Sequence, residues 1–176
     1  MYEIAKDKNT ILYLPTGTGK TLIAMMIIKH KSAPLSVPYE KGGKRTVIVV
    51  PTKSLVEQHR DPFRKVISNL SKYQAQVFTG DDIDENWSKE LRYPKICAYH
   101  VLIMPGEVYR SLITHNLLPL DRVNLIIFDE CRHANNKKSH PFALIMDEVK
   151  KMPPSSRRMD LRKSLSTTTL CVTGQV

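Results

Sequence analysis

Short apolar runs rich in β-branched residues alternate along the chain with longer stretches in which apolar residues recur at helical spacing. The apolar runs predict six strands, over residues 10–14, 46–50, 75–79, 100–103, 123–128 and 169–173. The stretches between them predict helices that include residues 20–30, 54–67 and 141–150. Strand and helix repeated in this order predict parallel βαβ units. We therefore expect an α/β fold, with a mainly parallel sheet and helices on both of its faces.

The run 125–128 is apolar without alternation, which is typical of a central strand buried on both faces. Two stretches interrupt the rhythm and are predicted to be loops, because prolines and glycines cluster in residues 32–45 and prolines and serines open residues 152–168. The second stretch is rich in Arg and Lys, and its charge fits either a solvated surface or a basic binding patch.

Composition limits the classes of protein to consider. The chain has 176 residues, enough for one domain, and its 41% hydrophobic and 25% charged residues are typical of a globular protein. No apolar run approaches the roughly 20 residues of a membrane span, and the N-terminus lacks the apolar core of a signal peptide. Three cysteines without a CxxC pair predict free thiols, and a cytoplasmic location is expected. A formal charge of +10 suits a polyanionic partner.

The segment 12–21, Leu-Tyr-Leu-Pro-Thr-Gly-Thr-Gly-Lys-Thr, follows a predicted strand and opens a predicted helix. Gly17 and Gly19 allow the backbone to approach an anion, and the amides at the start of the helix converge on it. In a phosphate-binding loop, Lys20 reaches the β and γ phosphates and the Thr21 hydroxyl binds Mg²⁺. The general phosphate-loop pattern has Gly where this chain has Leu14.

Asp129 and Glu130 follow the apolar strand over residues 123–128. Ligands of an open parallel sheet collect at the carboxyl ends of the strands, so we expect this acid pair to lie near Lys20. Asp129 is a candidate ligand of Mg²⁺, and Glu130 is a candidate to polarise the water that attacks the γ-phosphate. Cys131 is interpreted as a small packed side chain, and the two histidines that follow are poor evidence for a zinc site.

Residues 15–21 together with 129–131 resemble the first and second motifs of superfamily-two helicases, whose first motif normally lacks the leading Gly. Residues 50–58 look like motif Ia of that family, which touches the nucleic-acid backbone, and residues 101–108 look like motif Ib. Residues 172–174 lie where motif III couples hydrolysis to strand binding. Within the superfamily, residues 9–17, 42–45 and 129–142 are most similar to the helicase region of Dicer, particularly the insect antiviral type, with RIG-I-like receptors as near relatives.

The resemblance implies that residues 1–176 form a single RecA-like P-loop domain, the first lobe of a helicase, truncated at both ends and without the second lobe. The implied ligands are ATP, Mg²⁺ and double-stranded RNA, with no membrane. A second RecA-like lobe or RNA-interference cofactor proteins are further candidate partners. The candidate ATP-binding residues are Thr16, Gly17, Thr18, Gly19, Lys20, Thr21 and Asp129. The candidate catalytic residues are Lys20, Asp129 and Glu130, and the candidate Mg²⁺ ligands are Thr21 and Asp129. The candidate RNA contacts are Thr52, Lys53, Pro105 and Gly106, and the candidate coupling residues are Arg132, Thr173 and Gly174.

Departures from the family pattern bear on activity. Arg132 stands where the family usually has His in motif II, and the upstream glutamine motif that recognises adenine is absent. The second lobe of a helicase supplies an arginine finger worth on the order of 10³ to 10⁵ in turnover, so we expect little ATPase or unwinding from this chain alone.

Two other interpretations of the sequence are a non-catalytic module that binds RNA or a partner, and another P-loop enzyme such as a GTPase or small-molecule kinase. Residues 136–139 are faintly similar to a guanine-reading Asn-Lys-x-Asp motif.

Overall fold

A computed structural model describes residues 2–6, 8–14, 18–54, 56, 74–79, 94, 96–131, 139–152 and 168–173. Its strands are β1 (Thr10–Tyr13), β2 (Arg45–Val50), β3 (Ala75–Val77), β4 (Val101–Pro105), β5 (Val123–Asp129) and β6 (Thr168–Thr173). Its α-helices are α1 (Tyr2–Ala5), α2 (Lys20–His30), α3 (Gly106–Thr114) and α4 (Pro141–Lys151). Short 3₁₀ turns span Ala33–Ser36, Tyr39–Lys41 and Leu120–Arg122.

The six strands form one sheet in the order β1-β6-β5-β2-β4-β3, and every pair of neighbours is parallel. The predicted α/β class with a parallel sheet is therefore confirmed. All six predicted strands are present, with bounds that differ by at most two residues from the prediction. Because all strands run in the same direction, their carboxyl ends meet along one edge of the sheet.

Alternate residues of the central strand β2 enter two separate hydrophobic cores. Val47 and Val49 face a core that also contains residues of α3 and α4, whereas Ile48 and Val50 face a core closed by α2. All six residues of β2 are buried, as expected for a strand covered by helices on both faces. This burial explains why the strand sequence is continuously apolar after Thr46 and shows no alternation.

Two parts of the fold differ from the sequence prediction. Helix α3 was not predicted, although its buried residues Val108, Tyr109 and Leu112 have helical spacing and join Gly106 on the buried side. The stretch 32–45 is more ordered than a loop, since it contains two 3₁₀ turns and its last residue, Arg45, begins β2. The predicted helix over 54–67 and the predicted loop over 152–168 lie almost entirely outside the described residues.

A cluster of cations and one aromatic ring holds the 32–45 stretch against the amino-terminal edge of the sheet. The guanidinium groups of Arg122 and Arg45 lie 4.0 Å and 4.9 Å from the centre of the Tyr39 ring. Arg122 donates to the carbonyl of Tyr39, and Arg45 donates to the carbonyls of Lys44 and Cys97. Burial lowers the pKa of Lys44 and of Arg45. These long side chains are therefore structural, although their residue types are normally exposed.

Candidate functional site

The predicted phosphate loop and the predicted acid pair lie at the same edge of the sheet. The loop follows the carboxyl end of β1, and Asp129 ends β5. Strand β6 lies between β1 and β5 and hydrogen-bonds to both, with Tyr13 paired to Thr173 and Asp129 paired to Val172. Ligands collect at the carboxyl edge of such sheets, so this is the expected place for a binding site.

Helix α2 begins at Lys20 and is preceded by Gly19, which has φ +88° and ψ 22°. Glycine adopts this left-handed conformation without steric cost and has no Cβ to block an approaching anion. Gly19 has no side chain to cap the helix, so the amides of the first turn are not satisfied by a capping side chain. A helix N-terminus of this kind attracts phosphate groups through its amides and its dipole.

The acid pair adopts a strained turn at the end of β5. Glu130 has φ +48°, which is uncommon for a residue with a side chain. Its amide donates to Oδ1 of Asp129 over 3.0 Å, so the preceding carboxylate stabilises the turn. Strained backbone of this kind is concentrated at functional sites, where the surrounding structure maintains it. The turn directs the Glu130 side chain toward the start of α2.

Lys20 and Glu130 form an ion pair, with 3.1 Å between Nζ and Oε1. The two side chains are 14% and 21% exposed, so the pair is sheltered from solvent. The predicted proximity of Lys20 to the acid pair is therefore confirmed, and the carboxylate in contact is that of Glu130. A cation and an anion held together at a helix N-terminus can exchange partners when a polyanion arrives, since the ammonium can pair with phosphate instead.

The other candidate nucleotide residues are partly described. Thr18 and Thr21 are exposed, on either side of the Gly19–Lys20 junction, whereas Thr16 and Gly17 lie outside the described residues. The Thr21 hydroxyl and the Asp129 carboxylate are hard oxygen donors, which is the donor chemistry that Mg²⁺ prefers. The residues at this edge therefore fit a nucleotide with its magnesium ion, and their individual roles stay predictions.

The candidate RNA contacts follow β2 and β4, the next strands along the same edge. Thr52 and Lys53 are exposed just beyond the end of β2, and the Thr52 hydroxyl hydrogen-bonds to that of Ser54 over 3.0 Å. Pro105 and Gly106 join β4 to α3 and are both buried. RNA contact stays a prediction for these residues, and exposure makes Thr52 and Lys53 the more accessible candidates.

Gly106 has a packing role that explains its identity. A Cβ at this position would lie 2.9 Å from Cβ of Pro141 and 3.0 Å from Cδ1 of Phe142. Glycine therefore lets the first turn of α3 approach the first turn of α4 closely.

Among the candidate coupling residues, Thr173 ends β6 between the two halves of the nucleotide site, and Arg132 and Gly174 lie outside the described residues.

Sequence reasoning missed two local features beside the site. His140 caps α4, because its Nδ1 accepts from the amide of Phe142 over 3.2 Å. Cys131 packs against the hydrophobic core, as predicted, and so does Cys171 on β6. Interaction between the two thiols lowers the pKa of Cys131 and raises that of Cys171, and burial adds to the rise for Cys171. The wide separation of the two cysteines in the sequence gave no sign of this interaction.

No group of three or more His, Cys, Asp or Glu side chains in the described part of the chain could hold a metal ion. Among the same residues, no helix is both long enough and apolar enough to cross a membrane.

Comparison with known proteins places these observations in a family context. The profile of the DEAD/DEAH box helicase family matches residues 1–174. Endoribonuclease Dicer homolog 1 of Arabidopsis thaliana is 33% identical over 156 residues, which cover 89% of this chain and 8% of that protein. Endoribonuclease Dicer of Gallus gallus is 32% identical over 165 residues, which cover 94% of this chain and 8% of that protein. The chain therefore spans about a twelfth of the length of these relatives.

A solved structure supports the fold assignment independently of the sequence matches. The crystal structure of the Pyrococcus furiosus Hef helicase domain superposes with a TM-score of 0.71 at 26% sequence identity. The superposition covers 99% of this chain and 32% of the other.

Proposed function

The chain belongs to the DEAD/DEAH box helicase family, and we propose that it is the ATP-binding lobe of a Dicer-like RNA helicase. The proposed helicase acts in RNA interference in the cytoplasm. Its proposed ligands are ATP with Mg²⁺ and double-stranded RNA. The observation that carries the proposal is the ion pair between Lys20 and Glu130 at the carboxyl edge of the sheet. This partly buried pair joins segments 110 positions apart and places a cation beside an acid where the phosphates of a nucleotide would lie.

Each residue of the site has a role that its chemistry supports. The first-turn amides of α2 and the Lys20 ammonium would bind the phosphates, with Gly19 allowing their close approach. Thr21 and Asp129 would hold Mg²⁺, which when bound neutralises phosphate charge. Glu130 would orient and polarise the attacking water once its partner Lys20 has turned to the phosphates. Thr173, at the end of β6, would communicate these changes to the RNA side of the edge.

The proposed RNA contacts lie beside the nucleotide site along one continuous edge. The order of strands at this edge is β1, β6 and β5 for the nucleotide side, followed by β2 and β4 for the RNA side. Exposed Thr52 and Lys53 would contact the phosphates and sugars of RNA, since the deep major groove of A-form RNA hides its base edges. Affinity should therefore fall steeply with salt and depend little on RNA sequence.

Nucleotide binding tests the assignment directly. We expect Lys20→Ala to weaken the binding of a fluorescent ATP analogue in the presence of Mg²⁺ by at least about tenfold, because a charge-assisted hydrogen bond contributes about 1.5–3 kcal/mol. Lys29→Ala is the matched control, since it removes the same charge from the exposed far end of the same helix. Equal affinities of the two variants would refute the phosphate-loop assignment.

Two further measurements separate this proposal from its alternatives. Release of phosphate from ATP, with and without duplex RNA, distinguishes an ATPase lobe from a non-catalytic binding module. We expect a low rate from these 176 residues alone, because helicases take an arginine finger worth roughly 10³ to 10⁵ in rate from a second lobe. A preference for GTP over ATP would point to a different class of P-loop enzyme.

RNA binding has its own test. Lys53→Ala should reduce the slope of log affinity against log salt by about one.

A further inference from the structure

Asn124 links the strand of the acid pair to the helix of the phosphate loop. It is the second residue of β5, and its side-chain Nδ2 donates to the backbone carbonyl of Lys31 over 2.7 Å. Lys31 follows the last residue of α2, where carbonyls have no partner within the helix. At the other end of the same two elements, Lys20 begins α2 and pairs with Glu130, which follows β5. The helix and the strand are therefore joined at both ends.

The bond depends on an irregularity in the pairing of β2 with β5. The register shifts between Arg45 and Thr46 and leaves Asn124 without a partner residue on β2, as in a β-bulge. Asn124 is only 4% exposed, and its Oδ1 accepts from the hydroxyl of Thr46 over 3.0 Å. Both ends of the amide are thus hydrogen-bonded, which offsets the cost of burying it. Bulges redirect side chains, and here the redirected side chain reaches the end of α2.

The apolar packing of α2 does not by itself fix the helix in one orientation. Leu22 and Met26 are apolar but 62% and 41% exposed. The apolar residues of the same helix that enter the core are Ala24, Met25, Ile27 and Ile28. Burial of apolar surface is non-directional, so a turned helix would also bury apolar side chains. A hydrogen bond requires a particular distance and angle, so the bond from Asn124 to Lys31 specifies how α2 lies on β5.

We propose that Asn124 is a positioning residue that sets where the Lys20 ammonium lies. Lys31 and Lys20 are 11 positions apart on one helix, about 16 Å at a rise of about 1.5 Å per residue. A helix of this length moves as a rigid element, so a shift at Lys31 also displaces Lys20. The bond from Asn124 therefore keeps Lys20 in place for Glu130, and for the phosphates once Lys20 turns to them. The consequence for phosphates rests on the proposed function, whereas the position relative to Glu130 does not.

A double-mutant cycle on the chain without nucleotide tests the positioning. Lys20→Ala, Glu130→Gln and the combination of both are unfolded in urea, which gives the coupling between the two side chains. The cycle is repeated in Asn124→Leu, whose side chain has a similar branched shape but forms no hydrogen bond. We expect the coupling to fall to less than half. Thr46→Val is the matched control, because it removes the other hydrogen bond of Asn124 and spares the one to Lys31, and it should keep the coupling.

This cycle separates positioning from a merely structural role. A merely structural residue would lower the stability of all members of the cycle equally, and an unchanged coupling in Asn124→Leu would overturn the proposal. An equal loss of coupling in Thr46→Val would overturn it too, since that variant keeps the bond to the helix. Asn124→Ala repeats the measurement with a smaller side chain, in case leucine disrupts the strand. If neither variant of Asn124 unfolds cooperatively, the residue is required for folding rather than for positioning, and the proposal is wrong.

The consequence for nucleotide binding is measured in the Glu130→Gln chain, in which the carboxylate no longer competes for Lys20. In this chain, Asn124→Leu should weaken binding of the fluorescent ATP analogue by roughly 2- to 30-fold, the usual range for coupling through a packed network. Thr46→Val should leave the affinity unchanged, and equal affinities of the two variants would refute this consequence. If Lys20→Ala left ATP binding unaltered, the proposed function would fail, whereas the coupling measured without nucleotide would still decide whether Asn124 positions Lys20.

Discussion

If Lys20 binds phosphate as proposed, its ion pair with Glu130 has to open first, and this competition can be measured. Replacing Glu130 with Gln keeps the shape of the side chain and removes its charge. The ammonium of Lys20 is then no longer held by an anion. We therefore expect Glu130→Gln to bind ATP more tightly than the unaltered chain, although it should hydrolyse less.

The expected size of this effect follows from the geometry of the pair. Two unit charges 3.1 Å apart attract each other by about 5 kcal/mol at an effective dielectric constant of about 20. The cost of removing both groups from water offsets most of this attraction. With side chains 14% and 21% exposed, a net contribution of roughly 1–2 kcal/mol is reasonable, above that of a surface pair. Affinity for ATP should consequently rise by roughly 5- to 30-fold.

The assay is a titration of the fluorescent ATP analogue at constant salt and Mg²⁺, with Glu148→Gln as the matched control. Glu148 forms an exposed ion pair with Lys151 on α4, so its replacement changes the net charge equally without affecting Lys20. The control should bind ATP like the unaltered chain. If Glu130→Gln bound ATP no better than the control, the ion pair would not compete with the nucleotide, and the reasoning would be refuted.

Two other predictions concern stability. Gly106→Ala should lower the free energy of unfolding by about 1–3 kcal/mol, because its Cβ would lie 2.9 Å from that of Pro141; an unchanged urea midpoint would contradict the packing role. Burial, with a smaller effect of Arg45, lowers the pKa of His100, whose Nδ1 accepts from the amide of Gln74. As pH falls, His100 is protonated in the unfolded chain before it is protonated in the folded chain. The contribution of the neutral ring to the free energy of unfolding is therefore present above about pH 6.5 and is lost as pH falls toward the lowered pKa. Urea midpoints at about pH 7.5 and about pH 5.5 should differ less for His100→Gln, and equal differences would exclude His100 as a cause.

The strands were predictable because a parallel sheet covered on both faces imposes long apolar runs. The run 125–128 was placed correctly at the centre of the sheet for this reason. Helix α3 escaped prediction because it starts directly after β4 without a separating loop and opens on Gly106, a poor helix former. The helical spacing of its apolar residues is visible in the sequence, but the helix begins within residues 101–108, the segment that looks like motif Ib.

The strand order was enough to predict that Lys20 lies near the acid pair, but not which of the two carboxylates contacts its ammonium. Glu130 makes this contact because the chain turns there in a left-handed conformation, which is uncommon for a residue with a side chain and therefore hard to predict. Burial of Arg45 beneath the Tyr39 ring could not be predicted either, since Arg is usually exposed and one of its carbonyl acceptors, that of Cys97, is 52 positions away in the sequence. Such features arise from tertiary contacts that local patterns do not encode.

The position of β6 also sets the order in which a newly synthesised chain can complete the nucleotide site. Among the described strands, β1 hydrogen-bonds to β6, and the contact of Asn9 with the amide of Thr169 joins residues 160 positions apart. Among the described strands, the one that precedes the phosphate loop is therefore synthesised before the others and paired after them. A ribosome-bound intermediate that lacks β6 should already contain the β4-β2-β5 centre yet be unable to retain ATP, so nucleotide binding would be acquired only after β6 has been synthesised.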